Sequence, residues 1–246
     1  MMSFFHKLGS PPWLYGISVS LLRWLLPLTM LALFTGLVGG LLFTAPDFRQ
    51  GNSYRIMYIH VPAAVVALAG YYVMAIAVAI SLIWNMKMAD VAMKAAAPLG
   101  SDLTFIALVT GAMWGKPTWG TWWVWDARIT SMLILLFLYL GVVALYEAYD
   151  NKEAAGKACA VLSLVGTVNI PIIYKSVDWW YRSHQPASIK FTGESTIDPS
   201  MLYPLLLMIT AFYALFTCLL LMNMRTEILS REARTGWVRK LVGVNS

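Results

Sequence analysis

The chain has 246 residues, 59% of them hydrophobic and only 12% charged, with a net charge of +6 and a mean hydropathy of +0.67. Soluble domains carry about a quarter of their residues as charged groups, so too little polar surface exists here to cover a water-soluble globule. The basic residues are scattered singly rather than gathered into a stripe, which argues against nucleic acid as a partner.

Crossing ~30 Å of hydrocarbon takes about 20 helical residues. Apolar runs at 24–46, 58–86, 95–114, 128–147, 158–176 and 199–224 supply six such stretches. They predict an all-α integral membrane protein, a bundle of six transmembrane helices in a single membrane domain covering residues 1–246. The first run is preceded by about twenty residues with Trp13, Tyr15 and Arg23. It is too long for a signal-peptide core and ends in no small-x-small site, so it is expected to remain as an anchor. Pro27 and Pro171 fall inside runs and are expected to kink them. Asp102 interrupts the third run, ~10 Å from that run's inner end at 1.5 Å per residue. An acid inside a membrane is a functional candidate by default, but a bond to a neighbouring helix is the favoured reading over a ligand or proton path.

An even number of spans places both termini on one side. That side collects eleven of the eighteen Lys and Arg residues, among them Arg225, Arg231, Arg234, Arg239 and Lys240; the other side has seven. The bias predicts termini in the cytoplasm and outer segments at 44–59, 114–128 and 176–198. Cys159 and Cys218 are the two cysteines. With no C-x-x-C and no C-x-x-C-H, the chain is neither a thiol–disulfide carrier nor a holder of covalent c-type haem, and both thiols read as small packing residues.

The informative outer segment is 114–128, a tryptophan-rich loop with five of the eleven tryptophans in twelve residues. Membrane interfaces favour Trp, and Trp13, Trp24, Trp84 and Trp237 fit such a belt. Four Trp in seven residues, 119–125, exceed it. If the stretch after Gly120 were helical, Trp119, Trp122, Trp123 and Asp126 would share one face. That would make a flat platform for a sugar, a quinone, a protein surface or a porphyrin.

There are three histidines. His6 lies in the inner tail. His60 stands at the start of the second span, just before Pro62, and His184 lies in the last outer segment after Trp179-Trp180-Tyr181. Two imidazoles at the level of a Trp platform suit a six-coordinate haem iron, whereas zinc wants a third or fourth ligand. Under a haem reading, Arg55, Arg128 and Arg182 are the partners for propionates. In an unbroken helix, however, Arg128 would lie opposite the Trp119 face.

Trp119-Gly120-Thr121-Trp122-Trp123-Val124-Trp125-Asp126 resembles the WGxWWxWD signature of the haem-handling superfamily of cytochrome c maturation. Six spans, one outer histidine on each side of the motif and a length near 250 residues are similar to its CcmC family. The synthase-type relatives, CcmF and CcsA, are larger and need histidines this chain lacks. The resemblance implies haem b, bound without a covalent bond at the periplasmic face of a bacterial inner membrane. His60 and His184 would be its axial ligands. Trp114, Trp119, Trp122, Trp123, Trp125 and Asp126 would form platform and docking surface, and Arg55 and Arg128 would meet the propionates. The implied partners are the haem chaperone CcmE, an ABC transporter made of CcmA and CcmB, and the small membrane protein CcmD. The implied role is presentation of haem rather than catalysis, with a haem permease or a haem ligase as the alternatives. Since iron–imidazole bonds are ~2 Å, the Cα atoms of His60 and His184 are expected roughly 10–15 Å apart.

Overall fold

The computed structural model describes residue 7, residues 9–179 (177–179 as backbone) and residues 197–243. Six segments are long and apolar enough to cross a membrane: Pro11–Leu42, Ser53–Trp84, Lys87–Trp119, Ala127–Ala148, Lys152–Ser176 and Pro199–Arg231. Among the described residues there is no β-sheet, only an isolated bridge between Asp47 and Gly51. The protein is an all-α integral membrane bundle.

Helix α1 is Pro11–Leu42. A 3-10 turn, Ser53–Ile56, leads into α2, Met57–Trp84. Helix α3 is Lys87–Trp119 and α4 is Ala127–Ala148. The fifth span is two helices, α5 (Lys152–Gly166) and α6 (Asn169–Trp179), and α7 (Pro199–Arg231) is followed by a short α8, Gly236–Leu241. Helix α2 packs along α3 and α1 along α7, while α7 leans on α2 and α3; α4 lies between α3 and the α5–α6 pair. A hairpin joins α2 to α3 through Asn85, whose φ of 50° is a left-handed conformation that Asn tolerates better than most residues.

Helix α3 is much longer than the apolar run at 95–114. Its first turns carry charge because the charges are paired. Lys94 Nζ lies 2.7 Å from Glu227 Oε2, and Arg231 bridges Glu227 Oε1 and Asp90 Oδ2 at 2.6 Å each. Tyr146 donates its hydroxyl to the other Asp90 oxygen at 2.5 Å. Side chains of α3, α4 and α7 thus clasp each other at the end of the bundle away from the tryptophans.

The fifth span breaks where Pro171 dictates. A proline ring clashes with the carbonyl four residues earlier, here Thr167, and the break falls at residues 167–168. The chain crosses it with tightened bonds, Val168 N–H to Val165 O at 3.3 Å and Ile170 N–H to Thr167 O at 3.1 Å. Pro27, by contrast, stays inside a continuous α1.

In the middle of the bundle, Tyr139 of α4 meets Tyr71 of α2 edge to face, centroids 5.0 Å apart at 72°. Its buried hydroxyl donates to Ala67 O at 2.8 Å, since hydrocarbon offers a polar group no other partner. Gly100 of α3 makes room: a Cβ there would come within 2.0 Å of the Tyr139 ring.

Candidate functional site

The tryptophan-rich segment is shaped by its glycine and its aspartate. Gly120 adopts φ +79°, a left-handed conformation open to glycine at little cost, and it ends α3 with its N–H on Lys116 O at 3.0 Å. Lys116 Nζ closes the same turn by donating to Gly120 O at 3.1 Å. Asp126 is the N-cap of α4, its Oδ1 accepting from Ile129 N–H at 2.7 Å. Between the two stops, residues 121–126 are not helical. Trp119, Trp122 and Trp123 therefore come together through a non-helical crossing rather than along one helix face.

That crossing roofs a cavity of about 1140 Å³, at or above the ~300–1,000 Å³ typical of small-molecule pockets. Trp114, Trp119, Trp122 and Trp123 line it, together with His60 and Arg128. Its walls descend along α2 as far as Leu68, eleven residues beyond the start of the helix. This is ~16 Å at 1.5 Å per residue, about half the hydrocarbon thickness. Down there the lining is apolar, with Ala64, Leu68, Leu108, Met132 and Leu205.

His60 sits in the first turn of α2, and α3 sets its orientation. Its Nδ1 is 3.0 Å from Ala107 O and 3.2 Å from Thr110 Oγ1. A carbonyl only accepts, so Nδ1 carries a proton, and Nε2 is the nitrogen through which a neutral ring could ligate a metal. Trp114 meets the imidazole edge to face at 5.7 Å and 79°. Gly111 allows the approach, since a Cβ there would stand 3.0 Å from His60 Cε1.

The other expected site residues divide. Because the helix breaks at Gly120, Arg128 comes to line the same cavity as Trp119. Arg55 does not line it; its Nη2 donates to Thr44 O at 2.8 Å and braces the first Trp-side loop. Trp125 is 74% exposed and packs edge to face on Trp123 at 5.5 Å and 72°, outside the cavity wall. Trp123 Nε1 is buried and has no hydrogen-bond partner among the described residues. His184 and Arg182, and with them the expected His60–His184 separation, lie outside the described residues, as does His6.

Reading the sequence missed the loop before α2. Asp47 Oδ1 accepts from the N–H groups of Arg49 and Gln50, both at 2.8 Å, and Gly51 completes the turn at φ +57°. This turn delivers Gln50 to the cavity, where its Oε1 accepts from Trp114 Nε1 at 2.7 Å. An Asp four residues before a Gly is an ordinary turn signal; nothing in it announces a link to a tryptophan 64 residues away. On the far wall, Met201 of α7 and Asp198 face the cavity. Ser200 donates its N–H and hydroxyl to Asp198 Oδ1 at 2.8 and 2.6 Å and holds that carboxyl below the usual range, so the rim carries a fixed negative charge.

Comparison with known proteins agrees over nearly the whole length. Residues 4–239 match the family described as heme exporter protein C, CcmC. The heme exporter protein C of Escherichia coli K12 is 49% identical over 237 residues, 96% of each chain. That of Haemophilus influenzae is 45% identical over 98% of each chain. That of Bradyrhizobium diazoefficiens is 48% identical over 93% of this chain and 86% of its own. A membrane bundle with this motif, matched almost from end to end, belongs to the heme exporter protein C family.

Proposed function

We propose that the chain binds haem b without a covalent bond at the periplasmic face of a bacterial inner membrane and presents it to the haem chaperone CcmE. The single observation that supports this most is the placement of His60. It lines a half-apolar, half-aromatic cavity, and its Nδ1 is committed to the Ala107 carbonyl. A histidine that binds iron through one nitrogen commonly donates its other N–H to a carbonyl in this way. The lining also suits the cargo in other respects. The apolar depth accepts a macrocycle, Arg128 offers a cation for a propionate, and the buried Trp123 N–H is a donor in want of an acceptor. His184 is proposed as the second axial ligand. Asp126 acts on the site by capping α4 and so placing the tryptophans, and Arg55 by bracing the loop that carries Gln50.

Presentation is favoured over passage because the lining belongs to one half of the bundle, while packed tyrosines occupy its middle and ion pairs tie together its far end. Haem is cargo in this reading, and the chain forms no bond by itself. Trp122 and Trp125, 58% and 74% exposed, would face the chaperone. The proposed assembly has CcmA, CcmB and CcmD beside this chain, with both termini in the cytoplasm. The test is to co-express the chain with CcmE and stain for covalent haem on the chaperone. A Trp125→Ala variant, altered outside the cavity wall, should keep its own haem yet lower labelled CcmE at least fivefold. Undiminished labelling would refute presentation by this surface.

A further inference from the structure

After Lys87, the first half of α3 is buried or half-buried all round, but from Asp102 onward one side opens. Asp102, Phe105, Ile106, Val109 and Met113 are exposed in the spacing of one helix stripe. Asp102 is the fifteenth residue after Lys87 and the seventeenth before Trp119, so it stands ~22 and ~25 Å from the helix ends at 1.5 Å per residue. It also lies ~10 Å inside the apolar run 95–114 at 1.5 Å per residue, within the stretch that crosses hydrocarbon, and it is exposed on the outside of the bundle.

Nothing within the described residues serves this carboxyl: it makes no hydrogen bond and no ion pair. Its polar neighbours are spent on their own helix, Ser101 Oγ donating to Pro98 O at 2.7 Å and Thr104 Oγ1 to Gly100 O at 2.6 Å. Long Lys and Arg side chains escape such a position by snorkelling to the interface; an aspartate is far too short to do so. Charged groups deep in hydrocarbon are costly and persist where they are paired. By contrast, Asp90, Glu153 and Glu227, which are paired among the described residues, sit near helix ends.

We propose that the Asp102 stripe of α3 seats a transmembrane helix of a different membrane protein, and that this helix carries a lysine or arginine near its own midpoint to pair with Asp102. A second copy of this chain would bring carboxyl against carboxyl with no donor, which is the wrong charge. The inference needs only the membrane-spanning fold and does not depend on haem.

The test places a benzophenone amino acid at Val109 of the full chain and irradiates intact membranes of its host. The expected adduct joins Val109 to a spanning peptide of another protein that contains a lysine or arginine. Asp102→Leu and Asp102→Lys should each lower its yield at least tenfold, and the isosteric Asp102→Asn at least threefold. Replacing the partner's basic residue by Asp should restore the yield in the Asp102→Lys background. In detergent, without partner, Asp102→Asn should melt no lower than the unaltered chain. Adducts with lipid alone, with a second copy, or with a helix lacking a basic residue would overturn the proposal. So would a yield indifferent to Asp102, or a lowered melting temperature for Asp102→Asn.

Discussion

The Nδ1 of His60 is held 3.0 Å from the carbonyl oxygen of Ala107, one helix away. That contact fixes both the ring's orientation and its tautomer, and it depends on the bare surface of α3 at Gly111. Substituting Gly111 tests it while leaving the histidine itself in place. Gly111→Ala puts a methyl 3.0 Å from His60 Cε1 and should lower retained haem about two- to fivefold. Gly111→Val, which cannot be absorbed by a small shift, should lower it at least tenfold. Haem per protein by pyridine haemochrome reads both.

The Gln50–Trp114 bond ties the first Trp-side loop to α3. Gln50→Leu leaves the indole N–H without its acceptor, which costs about 1–3 kcal/mol when the donor stays buried. Thermal unfolding in detergent should show the loss, and limited proteolysis should cut the loop at residues 47–51 faster. Gln50→Glu, which keeps an acceptor oxygen, should recover most of the stability.

Gly120 and Asp126 act as stop and start signals for the tryptophan crossing. Gly120→Ala forces a side chain into the left-handed region at about 1–2 kcal/mol. Asp126→Ala removes an N-cap, at about 0.5–2 kcal/mol. Asp126→Asn and Asp126→Ser keep a capping oxygen and should recover most of the cap's share of that loss. If Asp126→Asn were as damaging as Asp126→Ala, the carboxylate charge would matter beyond the cap.

Much of the fold is legible from residues because hydrocarbon imposes a simple rule on backbone polar groups. The six spans follow from apolar length, and the break in the fifth follows from Pro171. Charge hides the rest. Asp90 and Lys94 read as loop residues until Glu227 and Arg231 pair with them from more than 130 residues away. The same holds for the candidate site. Gly120 ends α3, which changes the relation of Arg128 to Trp119 from opposite faces to a shared cavity, and Arg55 turns out to brace a loop. A tryptophan motif announces that a site exists; where each ring goes is decided by Gly120, Asp126 and Gln50.

The ion-pair clasp at the far end should matter for stability and not for haem. Arg231→Ala leaves two partly buried carboxylates without their shared cation, and bonds to charged groups are worth about 1.5–3 kcal/mol each in net terms. The variant should melt lower by several degrees, while haem per folded protein stays unchanged. A double-mutant cycle of Arg231→Ala with Asp90→Asn should give a coupling of about 0.5–3 kcal/mol.

The central claim is that His60 ligates haem in the cavity beneath the tryptophans. The most direct measurement is the optical spectrum of the full chain purified in mild detergent, compared with His60→Ala at equal protein. The unaltered chain should show a low-spin haem spectrum, as two imidazole ligands require. His60→Ala should lose at least four-fifths of the haem, and added imidazole should return the low-spin bands. Full haem content with an unchanged low-spin spectrum in His60→Ala would contradict the assignment.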